Sequence, residues 1–148
     1  MSKERYLSIL NDIKEQGGSE QGQSPNENVL IIDGLNTFIR VFSVIPTTND
    51  NGTHIGGIVG FLKSIGYTIN MFRPTRCIII WDGKGGSSRR RKMYPEYKAH
   101  RNETPEDIKT SIPYVKKLIE GFNIPIIEKQ GFEADDVIGT IAKLAEKE

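Results

Sequence analysis

Apolar positions along this chain follow two alternating rhythms. Val29 to Ile32 is apolar at every position and stops at Asp33-Gly34; Cys77 to Trp81 repeats the pattern and stops at Asp82-Gly83. Unbroken apolar runs of this length suit strands covered on both faces, the situation in a parallel sheet. Ile124 to Ile127 is a third, weaker run, and Pro125 within it favours a strand start. Helical spacing fills the gaps. From Ile55 on, Ile58, Leu62, Ile65, Ile69 and Phe72 recur at intervals of three and four, the pattern of an amphipathic helix. Leu35 to Val44 is a shorter helix candidate. Thr104-Pro105-Glu106-Asp107 reads as a helix start, with a Thr cap, Pro at the first helical position and acids in the first turn. Ile108, Ile112, Val115, Ile119 and Phe122 form its apolar stripe, and Pro113 inside it predicts a kink or break. A last helix runs from about Glu133, with Val137, Ile138, Ile141 and Leu144 facing inward. Strands alternating with helices predict an α/β fold, a mainly parallel sheet flanked by helices.

The first 27 residues stand apart from this rhythm. Ser2 to Glu15 can form a short helix with Tyr6, Ile9, Leu10 and Ile13 on one face, a surface on which a protein partner can dock. Gln16 to Asn28 is rich in Gly, Ser, Gln and Asn and reads as a flexible linker. The predicted organisation is therefore residues 1–27 as helix and linker and residues 28–148 as one folded domain, long enough to bury a core. Cys77 is the only cysteine, so no internal disulfide forms; its apolar surroundings suit a small buried hydrophobe in a reducing compartment. No stretch of about 18 apolar residues exists to span a membrane. Glu4 and Asp12, with no apolar core between them, exclude a secretory signal at the N-terminus.

Five acids fall where such a fold gathers chemistry. Sites in open α/β sheets form at the C-terminal ends of strands. Asp33 and Asp82 each end a strand, and Glu133, Asp135 and Asp136 begin the helix after the third. Glu133 and Asp136, three apart, share a helix face, while Asp135 lies off it. Carboxylates this close repel one another unless a cation sits among them. An oxygen-only set without a His/Cys cluster favours Mg²⁺ or Mn²⁺ over Zn²⁺. The bland alternatives are specific: Asp-Gly is a common turn pair, and acids in a first helical turn complement the helix dipole.

Charge is segregated as well. The whole chain carries +1, but Gly83 to Arg101 carries +6, leaving −5 elsewhere. That strip holds Lys84, Arg89, Arg90, Arg91, Lys92, Lys98 and Arg101, with Tyr94 and Tyr97 among them. Basic side chains neutralise phosphates and interleaved aromatics stack on unpaired bases, so the strip reads as a nucleic-acid contact; its bland counterpart is a solvated loop or a localisation signal. His54 and His100 are read as surface or turn residues, and Trp81 as packing.

Three stretches together resemble the 5′→3′ exonuclease and flap endonuclease family, which includes the N-terminal nuclease domain of bacterial DNA polymerase I and stand-alone phage enzymes. They are Leu30-Ile-Ile-Asp-Gly34, then Trp81-Asp-Gly-Lys84 running into Tyr94-Pro-Glu-Tyr-Lys-Ala-His-Arg101, and Gly131-Phe-Glu-Ala-Asp-Asp-Val137; Thr104-Pro-Glu-Asp-Ile108 resembles the family's entry to its next helix. The likeness covers about residues 28 to 148. It implies a resolvase-like (PIN-like) fold and hydrolysis of DNA, or RNA/DNA, at a free 5′ end or flap. It implies that Asp33, Asp82, Glu133, Asp135 and Asp136 bind metal, that Tyr97 lies near the scissile nucleotide, and that Lys98 and Arg101 engage the scissile phosphate. Arg89 to Lys92 fall where the family has a mobile arch for single strands. The resemblance also implies the cytoplasm of a bacterial or phage-infected cell, and a role in replication or repair. The family continues with a further strand bearing an Asp-x-Asp pair, acids of a second metal site and a helix-hairpin-helix. These have no counterpart here, so the expectation is a nearly whole first-metal site, an incomplete second one, and a need for a partner chain.

Two other functions compete with the nuclease. One is a catalytically incomplete module that binds nucleic acid; five acids concentrated beside DNA argue against so passive a role. The other is a PIN-type ribonuclease, which shares the acids without needing Tyr97, Lys98 and Arg101 together.

Overall fold

The computed structural model describes residues 28–146; the helix expected over Ser2 to Glu15 lies outside them. Three strands form one parallel sheet in the order β1 (Val29–Asp33), β2 (Arg76–Trp81), β3 (Ile126–Glu128). Asp33 pairs with Ile80 and Trp81 with Glu128, so all three strands end at nearly the same level. The connections carry five helices: α1 (Gly34–Phe42), α2 (Gly56–Phe72), α3 (Ser88–Met93), α4 (Glu106–Glu120) and α5 (Ala134–Ala145). This is the expected parallel sheet flanked by helices.

The core lies between the sheet and α1, α2 and α4. Ile32, Ile79 and Trp81 from the strands meet Phe38, Phe61, Ile65, Ile69, Ile108, Val115 and Ile119 from the helices. Trp81, 2% exposed, packs its ring 6.3 Å from that of Phe38 and 5.9 Å from that of Phe61. A methyl group at Gly34 would come within 2.6 Å of the same indole. The glycine after Asp33 thus serves close packing, at the first residue of α1, rather than a left-handed turn. Trp81 is a packing residue, as its place at a strand end implied.

Within the basic strip, Ser88 to Met93 is helical. Three local expectations are corrected. The cap of α4 is Pro105 rather than Thr104. The same helix runs through Pro113 without interruption. Ile108 before the proline and Val115 and Ile119 after it are buried, and Pro113 itself faces solvent, so its ring and the carbonyl it leaves unpaired meet water rather than core. Finally, α5 hides less than its stripe implied: Val137, Ile138 and Ile141 are half-buried and Leu144 is 59% exposed.

Candidate active site at the carboxyl edge of the sheet

One close approach of the backbone builds this edge. The segment leaving β2 runs against the segment leaving β3 so closely that a methyl at Gly83 would lie 1.8 Å from the Lys129 carbonyl oxygen. Only glycine permits that approach. Gly83 N–H donates to the Phe132 carbonyl at 3.0 Å and Gly131 N–H to the Lys84 carbonyl at 3.0 Å, which ties the two segments together. The result brings the end of β2 onto the start of α5.

The acids occupy helix starts. Asp33 accepts from the Asn36 N–H at 3.0 Å and caps α1. Asp82 reaches across the crossing to accept from the Ala134 N–H at 2.7 Å. Glu133 is the N-cap residue of α5, and Asp136 accepts from the Glu133 N–H at 3.1 Å. Free N–H groups at a helix start and its dipole both favour negative charge there.

Beyond this capping the acids divide in two. Glu133, 4% exposed, is saturated with donors: it pairs with Arg90 and with Lys98 and accepts from the Tyr97 hydroxyl at 2.8 Å. Asp136 receives the other side of the same guanidinium, at 2.6 and 3.0 Å. Arg90 and Lys98 stand 5.7 and 5.2 Å from the centre of the Tyr97 ring. Lys98 takes a left-handed backbone conformation, φ 56°, a strained geometry of the kind found at functional sites. Burial pushes the Glu133 carboxyl up, but hydrogen bonds from Lys98 and Tyr97, with the charges of Lys98 and Arg90, outweigh it and hold the group below its ordinary value.

Asp33, Asp82 and Asp135 form the other set. Asp33 is pushed above the usual carboxylate value, first by burial and then by the charges of Asp82 and Asp135, against the opposing effects of the Asn36 N–H and Lys98. Asp135 is exposed and makes no ion pair among the described residues. Among those residues no three acids stand close enough, as placed, to enclose an ion.

The basic strip is split in the same way. Tyr97 and Lys98 reach the acids, whereas the Arg101 side chain is exposed and touches none of them. Lys84, Arg89, Arg91, Lys92 and Tyr94 are exposed too, and the Tyr94 hydroxyl donates to Glu96 at 2.8 Å. Arg90, expected in an arch over single strands, instead lies inside the acid cluster.

Comparisons with known proteins come to the same fold. The family described as "5′-3′ exonuclease, N-terminal resolvase-like domain" matches residues 28–148. DNA polymerase I of Caldicellulosiruptor bescii is 38% identical over 76% of this chain and 13% of its own length. That of Borreliella burgdorferi is 34% identical over 82% and 14%, and the thermostable enzyme of Thermus filiformis 33% over 85% and 15%. The chain thus spans about a seventh of these relatives. Among solved structures, the T5 D15 protein co-crystallised with metal ions superposes with a TM-score of 0.54 at 24% identity, covering 82% of this chain and 44% of that one. The T5 5′-exonuclease with bound zinc gives 0.56 at 21%, over 82% and 45%. At these identities the two structures establish the fold, and the sequence relatives establish the family: the chain belongs to the 5′-3′ exonuclease N-terminal, resolvase-like domain family.

Proposed function

We propose that this chain is a divalent-metal-dependent nuclease domain that hydrolyses phosphodiester bonds of DNA, or of RNA paired to DNA, at or near a free 5′ end or flap. One observation carries the reading. Asp33, half-buried at the edge of the sheet, feels the charges of Asp82, Asp135 and Lys98, and Lys98 pairs with Glu133 beside Tyr97. Like charges held together favour a cation among them, and an all-carboxylate set suits Mg²⁺ or Mn²⁺. The metal ions bound by the two T5 proteins, zinc in one of them, support a divalent-metal site without choosing among these ions. Asp33, Asp82 and Asp135 would hold the ion, with Glu133 and Asp136 beside it. Such an ion, when bound, polarises a phosphodiester and acidifies a water.

The chain's own residues supply position and charge. Burial pulls the Lys98 ammonium down, but the hydrogen bond and charge of Glu133 outweigh it and raise the group above its ordinary value. Lys98 therefore stays cationic and meets the negative charge that builds on the phosphate. The Tyr97 ring offers a stacking face for an unpaired base, and Tyr94, further along the strip, a second one. Arg101, Lys84, Arg89, Arg91 and Lys92 face solvent and neutralise backbone phosphates.

The test is a 5′-labelled flap duplex incubated with the purified chain in Mg²⁺ and in EDTA. Cleavage in Mg²⁺, lost in EDTA and in Asp33→Asn and Asp135→Asn, is expected. Tight binding without cleavage at every metal concentration would replace this reading with that of a binding module that needs a partner chain.

A further inference from the structure

Arg90 is the one member of the strip whose place differs from its sequence role. Its guanidinium bridges Glu133 and Asp136, making a bidentate pair with the second. With Lys98 on the other oxygen of Glu133, two of the five acids are already neutralised by cations of the chain itself. The helix that carries Arg90 is weakly held. α3 has six residues and buries none of them, and Gly85 just before it takes a left-handed φ of 74°. The Arg90 side chain is 32% exposed, so it can leave without opening the core. A segment with few buried contacts opens at little free-energy cost.

We infer that Arg90 is a counter-cation latch that couples arrival of a phosphate strand to metal affinity at the acid cluster. The inference rests on the function proposed above. With Arg90 seated, Glu133 and Asp136 are engaged by cations of the chain, and the site presents less negative charge to an ion. A guanidinium prefers phosphate as readily as carboxylate, in the same bidentate geometry. The neighbouring Arg89, Arg91 and Lys92 bring phosphates to α3. When one draws Arg90 off, Glu133 and Asp136 lose its compensating charge, Lys98 remaining on Glu133, and the cluster binds a divalent ion more tightly. Coupling of this kind is reciprocal, so metal also tightens the hold on the strand. Arg90 acts here through Glu133 and Asp136 and is a positioning residue.

The experiment measures Mn²⁺ binding by calorimetry, with no turnover required. It compares the wild type, Arg90→Gln, Arg90→Lys and the exposed control Arg89→Gln, each with and without a short single-stranded oligonucleotide whose linkages are phosphorothioate. Without nucleic acid, Arg90→Gln binds Mn²⁺ roughly tenfold more tightly than wild type, while Arg90→Lys and Arg89→Gln stay near wild type. The oligonucleotide tightens Mn²⁺ binding to wild type and has little effect on Arg90→Gln, whose latch is already gone. Equal or weaker Mn²⁺ binding by folded Arg90→Gln overturns the latch and leaves the metal site standing. Should Arg90→Gln unfold, Arg90→Lys with unchanged coupling to the oligonucleotide keeps the proposal, and Arg90→Lys with none overturns it. If neither wild type nor any variant binds Mn²⁺ saturably, the metal reading itself falls, and the latch with it.

Discussion

Asp82 offers the cleanest separation of fold from chemistry. Its carboxylate accepts the Ala134 N–H at 2.7 Å, and Ala134 is 2% exposed, so water cannot replace the lost acceptor without moving α5. A hydrogen bond to a charged group contributes about 1.5–3 kcal/mol. Relief of repulsion against Asp33 on removing the charge offsets roughly 0.5–1 kcal/mol. Asp82→Ala therefore destabilises the domain by about 1–2 kcal/mol. At ~2.1 cal/mol/K per residue over about 120 residues, 1 kcal/mol corresponds to roughly 4 °C, so the melting midpoint falls by ~4–8 °C. Asp82→Asn keeps an acceptor oxygen and removes the same repulsion, so its midpoint stays within about 2 °C of wild type. Both follow from thermal unfolding in EDTA, monitored by circular dichroism. Adding Mg²⁺ then raises the midpoint of wild type but of neither variant. An unchanged Asp82→Ala midpoint refutes the cap. An Asp82→Asn midpoint as low as that of Asp82→Ala shows that charge, not the acceptor, holds α5.

Three further outcomes are expected. Gly83→Ala forces the β2 and β3 exits apart, because its methyl meets the Lys129 carbonyl oxygen at 1.8 Å; a loss of about 2 kcal/mol or more in urea unfolding is expected, and a loss under ~0.5 kcal/mol counts against the crossing. Stability against pH carries two opposed slopes in metal-free buffer. Glu133, held below its ordinary 4.5, contributes stability that is present above that value and lost as pH falls through its folded pKa. Asp33, raised above 3.8, costs stability at neutral pH, and that cost is relieved as pH falls through its raised pKa. Glu133→Gln should therefore flatten the acid loss and Asp33→Asn abolish the mild-acid gain; an unaltered profile in both variants rules out these assignments. Burial raises the Cys77 thiol to about 11, so its reaction with a thiol reagent at neutral pH should be far slower than that of free cysteine until denaturant is added; rapid labelling of the native chain would contradict that.

Much of this architecture was legible because local and global signals agree. β1 and β2 each carry an unbroken apolar run, Val29 to Ile32 and Cys77 to Trp81, and those runs end at Asp33 and Asp82, which mark the edge of the candidate site. Likewise, the placing of Glu133 and Asp136 on one helix face and Asp135 off it follows from helical periodicity alone, and the contacts of the three divide the same way. Arg90 was not legible. Three arginines stand in a row, and which one meets the acids depends on the rotation of a six-residue helix that buries nothing. No hydrophobic stripe fixes that rotation in the sequence. Tyr97 and Lys98 reach the site through a left-handed residue that is not glycine, a conformation no propensity favours. The exposed flank of α5 was missed for the converse reason: periodicity gives the direction of an apolar face, never whether something covers it.

The bland and the chemical readings of the acids turn out to be compatible. Asp33 does cap α1, Asp82 and Glu133 do sit at the start of α5, and Asp136 does close back on Glu133. Capping places an acid by a backbone hydrogen bond, which fixes it to within a rotamer. A carboxylate has two oxygens and about four lone-pair sites, so one cap leaves capacity for another partner. The helix dipoles that welcome these charges also lower the cost of gathering them. That cost is still visible at Asp33, whose pKa is raised first by burial and then by the charges of its neighbours despite its cap. Glu133 and Asp136 are spared it by Arg90 and Lys98. The edge therefore holds Glu133 and Asp136 with their charge compensated by Arg90 and Lys98, and Asp33, Asp82 and Asp135 without an ion-pair partner among the described residues.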